Sequence, residues 1–262
     1  MKTFLTTLAA AAAMSTVGAA TPTSPAKLPE DATRNIVLVH SALVDGSSWR
    51  GVYDELIRDG YHVAIVAHGQ LMLSADVAAT QRVIDQQDGP VVLVGASYGG
   101  VIITEAGAHP KVRALVYVAA MQPEVGESLV DLAARTPSAS KNLLPDTNGL
   151  LSLDPRVFHA DFGADLQSAQ AQFLAAGQMP LAVAAASTKV TVAAWHRIPT
   201  YGIVATEDRL ISPALQRFMY TRGNDKITEI KASHAVFMSQ PRAVALVIET
   251  AAKVHQTASP AK

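Results

Sequence analysis

The stretch Val91-Val92-Leu93-Val94-Gly95-Ala96-Ser97-Tyr98-Gly99-Gly100-Val101-Ile102-Ile103 decides how the rest of the chain is read. Its first half is an unbroken apolar, β-branched run, the pattern of a strand buried on both faces of a parallel sheet. After Gly100 the residues suit a helix. Between them, Gly95-Ala96-Ser97-Tyr98-Gly99 fits the G-x-S-x-G nucleophile elbow, in which a sharp strand-to-helix turn presents a serine on a strained backbone. Glycine two residues before and after the serine lets strand and helix pass without a Cβ clash.

Outward from this turn, strands and helices alternate. Asn35–His40 is an apolar strand, Ser41–Ser47 a loop, and Ser48 an expected N-cap for a helix from Trp49 to Asp59 that stops at Gly60. A strand at Tyr61–Val66 and a helix at Ser74–Gln87 follow, then Gly89-Pro90 and the Val91 strand; a helix through Ala108 and a strand at Val112–Ala119 continue the series. From about residue 121 to 196 the alternation stops, and the segment mixes helical pieces such as Leu166–Ala176 with turns at five prolines (Pro123, Pro137, Pro145, Pro155 and Pro180). An insertion of that length between two strands reads as a lid. The alternation resumes with Pro199–Thr206, a helix opened by Pro213, a strand at Lys226–Lys231 and a closing helix over Gln240–Val254. The expectation is an α/β fold: a mostly parallel sheet of about six strands flanked by helices, over residues 35–257, with the lid inserted after the fourth strand-helix unit.

Composition narrows the function classes. The net charge is −1, or −2 once Lys2 leaves with a leader, and the basic residues are scattered, so no nucleic-acid partner is expected. There is no cysteine, which excludes disulfides, thiol nucleophiles and cysteine-held metals. No histidine and carboxylate cluster shows ligand spacing, and neither metal nor cofactor is expected. Residues 1–20 carry Lys2, an apolar alanine-rich run and a small-residue end at Gly18-Ala19-Ala20, the pattern of a signal peptide. Residues 21–34 read as a proline-rich linker. A periplasmic or secreted protein without a membrane span is expected, and the oligomeric state is left open.

A serine hydroxyl attacks only when a histidine takes its proton and a carboxylate orients that histidine. With an elbow serine the chain order is serine, acid, histidine, the partners following later strands at their carboxyl ends. Asp208, in Thr206-Glu207-Asp208-Arg209-Leu210-Ile211-Ser212-Pro213, is favoured as the acid over its neighbour Glu207. Of eight histidines, His234 alone has the position required of the base. The oxyanion formed on attack needs two preorganised N–H donors, assigned to the backbone of Tyr98 and Ala42. His40, at the end of the first strand, is expected to brace the loop. Met121 and Tyr98, each beside a strand end, are pocket candidates. The lid residues Phe158, Phe162, Phe173, Met179 and Trp195 are read either as pocket lining or as lid core.

These motifs, in this order and over Asn35 to Val254, resemble the α/β-hydrolase superfamily, and within it the compact esterase and hydroxynitrile lyase branch. The resemblance implies a serine hydrolase acting on a carboxylic ester or related small acyl substrate through Ser97, His234 and Asp208. Two readings compete with it: a cyanohydrin-type lyase, and a ligand-binding protein of this fold that turns over slowly. Ser41 stands where esterases of the branch have glycine and the lyases a hydroxyl residue, making it a candidate substrate contact. Ala235 stands where the lyases place a lysine.

Overall fold

The computed structural model describes residue 28 and residues 32–253, so the expected leader and most of the proline-rich linker lie outside the described residues. The strands of the main sheet are β1 (Asn35–Val39), β2 (His62–Val66), β3 (Val91–Ala96) and β4 (Val112–Val118), and β8 (Thr200–Ala205) and β9 (Lys226–Ile230). They run in the order β2-β1-β3-β4-β8-β9, every neighbouring pair parallel. A parallel sheet needs a crossover after each strand, and helices supply them. These are α1 (Arg50–Arg58), α2 (Leu73–Asp85), α3 (Gly99–Ala106) and α8 (Pro213–Arg222), with α9 (Val236–Ser239) and α10 (Pro241–Ala252) closing the chain.

The period of two along a strand sorts the core into two layers. Ile36, Leu38, Val92 and Val94 face the layer that holds Trp49, Phe237 and α10, whereas Val37, Val39, Val91 and Leu93 face Val101, Ile102 and Met219 on the other side. β1 and β3 are covered on both faces and are buried throughout. The edge strands β2 and β9 are more exposed, and β9 carries Lys226 and Glu229, charges that discourage pairing with another chain.

The segment between β4 and β8 differs in content from the expectation. Besides α4 (Leu129–Arg135), α5 (Phe158–Phe162), α6 (Ser168–Ala176) and α7 (Val183–Ser187), it holds an antiparallel sheet. Its strands are β5 (Leu143–Pro145), β6 (Leu150–Leu153) and β7 (Leu181–Ala182). β5 and β6 form a hairpin whose turn is held by Asp146 Oδ1, which accepts from Asn148 N at 2.9 Å and Leu150 N at 2.8 Å, with Gly149 at φ 74°. Asn-Gly between short leucine runs is the signal for such a turn; Pro145, which reads as a breaker, sits at the strand end that a proline tolerates. Ser48 also departs from its expected place. Asp45 caps a short 3₁₀ turn at Gly46–Trp49, α1 begins only at Arg50, and the Ser48 hydroxyl donates to Asp45 O.

The exit of β4 is fixed by a residue of α8. The buried hydroxyl of Tyr220 donates to Ala120 O at 2.9 Å and accepts from Ala120 N at 2.8 Å. Next to it Gln122 Nε2 donates to Asp225 Oδ2 at 2.9 Å, leaving Asp225 Oδ1 buried without a partner. Burial pushes the Asp225 carboxyl up to about 7, against the hydrogen bond from Gln122. The folded state therefore holds a proton between pH 3.8 and about 7 that the unfolded chain has lost, and stability falls as pH rises through that window. The slope from this one group is at most about 1.4 kcal/mol per pH unit. Chemical denaturation across this range should show Asp225→Asn gaining on wild type as pH rises toward 7, and a constant difference between the two would contradict it.

Candidate active site

Ser97 stands at the turn from β3 into α3 with φ 53°, a left-handed backbone that costs a non-glycine residue about 1–3 kcal/mol. Three backbone hydrogen bonds hold it there. Ser97 N donates to Val118 O at 3.2 Å, and Ser97 O accepts from Gly100 N at 3.0 Å and Met121 N at 3.1 Å. The flanking glycines are required by contact distance. A Cβ on Gly95 would lie 2.5 Å from Gly99 O, and one on Gly99 would lie 2.6 Å from Val39 O and 2.9 Å from His40 O.

Asp208 follows β8 and His234 follows β9, so both stand at the carboxyl edge of the sheet, the edge at which β3 ends before Ser97. His234 Nδ1 lies 2.7 Å from Asp208 Oδ2 in a fully buried pair. The carboxylate only accepts, so Nδ1 carries the proton and Nε2 is free to act as a base. Glu207 has no part in this. Its side chain is turned outward, 3.7 Å from Lys231 Nζ. Asp208 is held by the amides of Leu210 at 2.8 Å and Ile211 at 2.9 Å and by Gln216 Nε2 at 2.8 Å. Gln216, fully buried on α8, also donates to Ile211 O at 2.8 Å and accepts from Ala205 N at 3.1 Å, tying the end of β8 to the acid loop. Sequence reading passes over Gln216, whose only signal is its place one turn inside the helix that Pro213 opens.

Ser97 and His234 line one cavity of about 330 Å³ together with Ser41, Ala42, Tyr98 and Met121. Most of its remaining wall is apolar, with Leu129, Leu143, Leu151, Leu181 and Phe162 from the inserted segment. Phe162 packs edge-on against the His234 ring at 5.5 Å. The other aromatic candidates lie elsewhere. Phe158 is stacked on Phe162 in the core, Trp195 donates its Nε1 hydrogen to Pro123 O, and Phe173 is 78% exposed. Met179 acts through its backbone, exchanging hydrogen bonds of 3.1 and 3.3 Å with Leu43 in the loop after β1. Leu43 itself has φ 70°. The Ser41 hydroxyl donates to Ala42 O at 2.9 Å, so its hydrogen is spent within the loop. His40 Nδ1 is 3.0 Å from Ser41 O, the expected brace.

The inserted segment is clamped to this site by Asp161, whose buried carboxylate accepts from Ser140 Oγ at 2.7 Å, Asn142 Nδ2 at 2.6 Å and Arg209 Nε at 2.9 Å. Burial alone would raise this carboxyl, but the donors from Asn142, Arg209 and Ser140 hold it below the usual range. Among the described residues no group of three or more His, Asp or Glu side chains is placed to hold a metal ion.

The family model described as "Alpha/beta hydrolase family" matches residues 36–246. The chain belongs to the alpha/beta hydrolase family. It is 29% identical over 253 residues to the alpha/beta hydrolase nvfD of Aspergillus novofumigatus (strain IBT 16806), covering 83% of this chain and 96% of that protein. It is also 35% identical over 112 residues to a carbendazim hydrolyzing esterase of Nocardioides sp. (strain SG-4G), a match over 37% of this chain and 46% of the esterase. Solved structures share the fold. An extracellular alpha/beta-hydrolase from a Paenibacillus species superposes with a TM-score of 0.72 at 20% identity, over 84% of this chain and 99% of that one. A pyrethroid hydrolase from Sphingobium faniae JZ-2 gives 0.71 at 24% identity, over 84% and 97%.

Gln216→Leu tests the role of the buried amide directly. It strips a donor from Asp208 and leaves Ile211 O and Ala205 N without partners, and each orphaned buried group costs about 1–3 kcal/mol. A loss of at least about 2 kcal/mol in urea unfolding is expected, and an unchanged midpoint would contradict it.

Proposed function

We propose that the chain is a serine hydrolase that cleaves a carboxylic ester or related small acyl substrate through a covalent acyl-enzyme. Supporting this above all is the buried 2.7 Å contact of His234 Nδ1 with Asp208, in one cavity with a strained Ser97. In this reading His234 Nε2 takes the Ser97 proton as Oγ attacks the acyl carbon, and the amides of Ala42 and Tyr98 receive the oxyanion. His234 then returns the proton to the leaving alcohol. Water, activated by the same imidazole, attacks the acyl-enzyme and releases the acid and Ser97. The apolar wall favours a substrate with a hydrocarbon body over a highly charged one. The esterase and the pyrethroid hydrolase among the similar proteins agree with this reading.

The lyase alternative loses support at two residues. Ala235 is fully buried and offers no cation to a departing cyanide, and the Ser41 hydroxyl is engaged with Ala42 O. The leader reading completes the proposal: residues 1–20 are removed on export and residues 121–196 act as a lid over the cavity.

Ser97→Ala should lower turnover of short acyl esters by on the order of a millionfold with the fold intact. Measurable hydrolysis of p-nitrophenyl acetate by wild type and no cyanide release from mandelonitrile above background are the expected assay results; rapid cyanide release, lost in Ser41→Gly, would overturn the esterase assignment. For export, N-terminal sequencing of the periplasmic or secreted protein should read from near Thr21, and an intact Met1 in the cytoplasm would contradict the leader.

A further inference from the structure

Tyr98 contributes more than a backbone amide. Its side chain is fully buried, and its hydroxyl donates at 2.9 Å to Oδ2 of Asp76, a buried carboxylate on α2. The other oxygen of Asp76 accepts from Gly69 N at 3.1 Å and Gln70 N at 3.2 Å. The carboxylate thereby shapes the turn after β2, in which Gln70 has φ 61°.

That turn in turn holds the loop after β1. Gln70 Nε2 donates to Val44 O at 3.1 Å. His68 Nε2 lies 3.2 Å from His40 O, and since a carbonyl only accepts, Nε2 carries the proton. The His68 ring is stacked on that of His40, with centroids 3.7 Å apart and planes 10° from parallel. Burial and the neighbouring His40 take His68 down to about 3. One carboxylate therefore reaches both halves of the proposed oxyanion site: directly to Tyr98, and through residues 68–70 to the loop that carries Ala42.

We propose that Asp76 is a positioning residue that sets the spacing between the backbone N–H groups of Ala42 and Tyr98. It touches neither substrate nor Ser97. The inference rests on the reading of Ser97 as nucleophile. The two donors must sit about 3 Å from an oxygen that becomes an oxyanion only in the transition state, so a displaced donor lowers kcat and leaves KM little changed.

The test compares Asp76→Ala, Asp76→Asn and Tyr98→Phe with wild type. Active-site concentration comes from stoichiometric fluorophosphonate labelling, so loss of folded protein cancels. Asp76→Ala should lower kcat per labelled site by about thirtyfold or more and Tyr98→Phe by about tenfold, each with KM within about threefold. Asp76→Asn keeps an oxygen for the two amides and an NH₂ facing the Tyr98 hydroxyl, and should recover to within about threefold of wild type. The double variant Tyr98→Phe/Asp76→Ala should be no slower than Asp76→Ala alone, because both act on one unit. Affinity for a trifluoromethyl ketone, which forms an oxyanion on binding, should fall in step with kcat. Should Asp76→Ala not fold, Tyr98→Phe decides, since it deletes a single hydroxyl. Wild-type kcat per labelled site in Tyr98→Phe, or unchanged ketone affinity in the slowed variants, would overturn the inference. Failure of wild type to label or to turn over esters would instead overturn the nucleophile reading, and this inference with it.

Discussion

The structure depends on one unfavourable backbone conformation, that of Ser97 at φ 53°, and on the means of holding it. Its amide is bonded to the end of β4 and its carbonyl accepts from Met121, the third residue beyond that strand. Removing those bonds would let the turn relax, and the serine would leave the carboxyl edge of the sheet. The demand spreads outward. β3 must be buried and parallel to both neighbours, the elbow glycines must lack side chains, and the exit of β4 must itself be rigid. Tyr220, clasping both polar atoms of Ala120, supplies that rigidity from α8.

The same helix serves the acid loop. Gln216, one turn along from Pro213, satisfies the acid, the end of β8 and the acid loop with a single amide. Its two N–H donors and its oxygen are all used, which suits a buried polar group: satisfied it specifies one arrangement, and half-satisfied it destabilises. Asp161 works in the same manner toward the inserted segment, so the wall over the cavity is tied by hydrogen bonds to the loop that presents Asp208.

The main sheet was legible because its strands are continuous apolar runs and its crossovers have helical periods, signals set by burial on both faces. The placement of Ser97, Asp208 and His234 at strand ends was legible for a related reason: in a parallel sheet those ends share one edge, so order along the chain becomes position along that edge. Legibility failed where local signals are weak or conflict. β5 and β6 are three and four residues long and sit in a segment punctuated by prolines. Phe173 shows the limit of hydrophobicity as a guide to burial, for helical spacing on α6 turns Ala171 and Ala175 inward and leaves the aromatic ring outside. The Asp76 network was illegible in principle. Asp76, Tyr98, Gln70 and His68 come together only because α2 packs against α3 on one side of the sheet.

A crystal structure of the protein inhibited by an alkyl fluorophosphonate would locate the nucleophile and the oxyanion donors together. Phosphorus is expected bonded to Ser97 Oγ, with one phosphoryl oxygen within about 3.1 Å of both Ala42 N and Tyr98 N, the alkyl group in the apolar cavity and His234 Nε2 facing the adduct. Phosphorus on another residue, or a phosphoryl oxygen turned away from both amides, would contradict it.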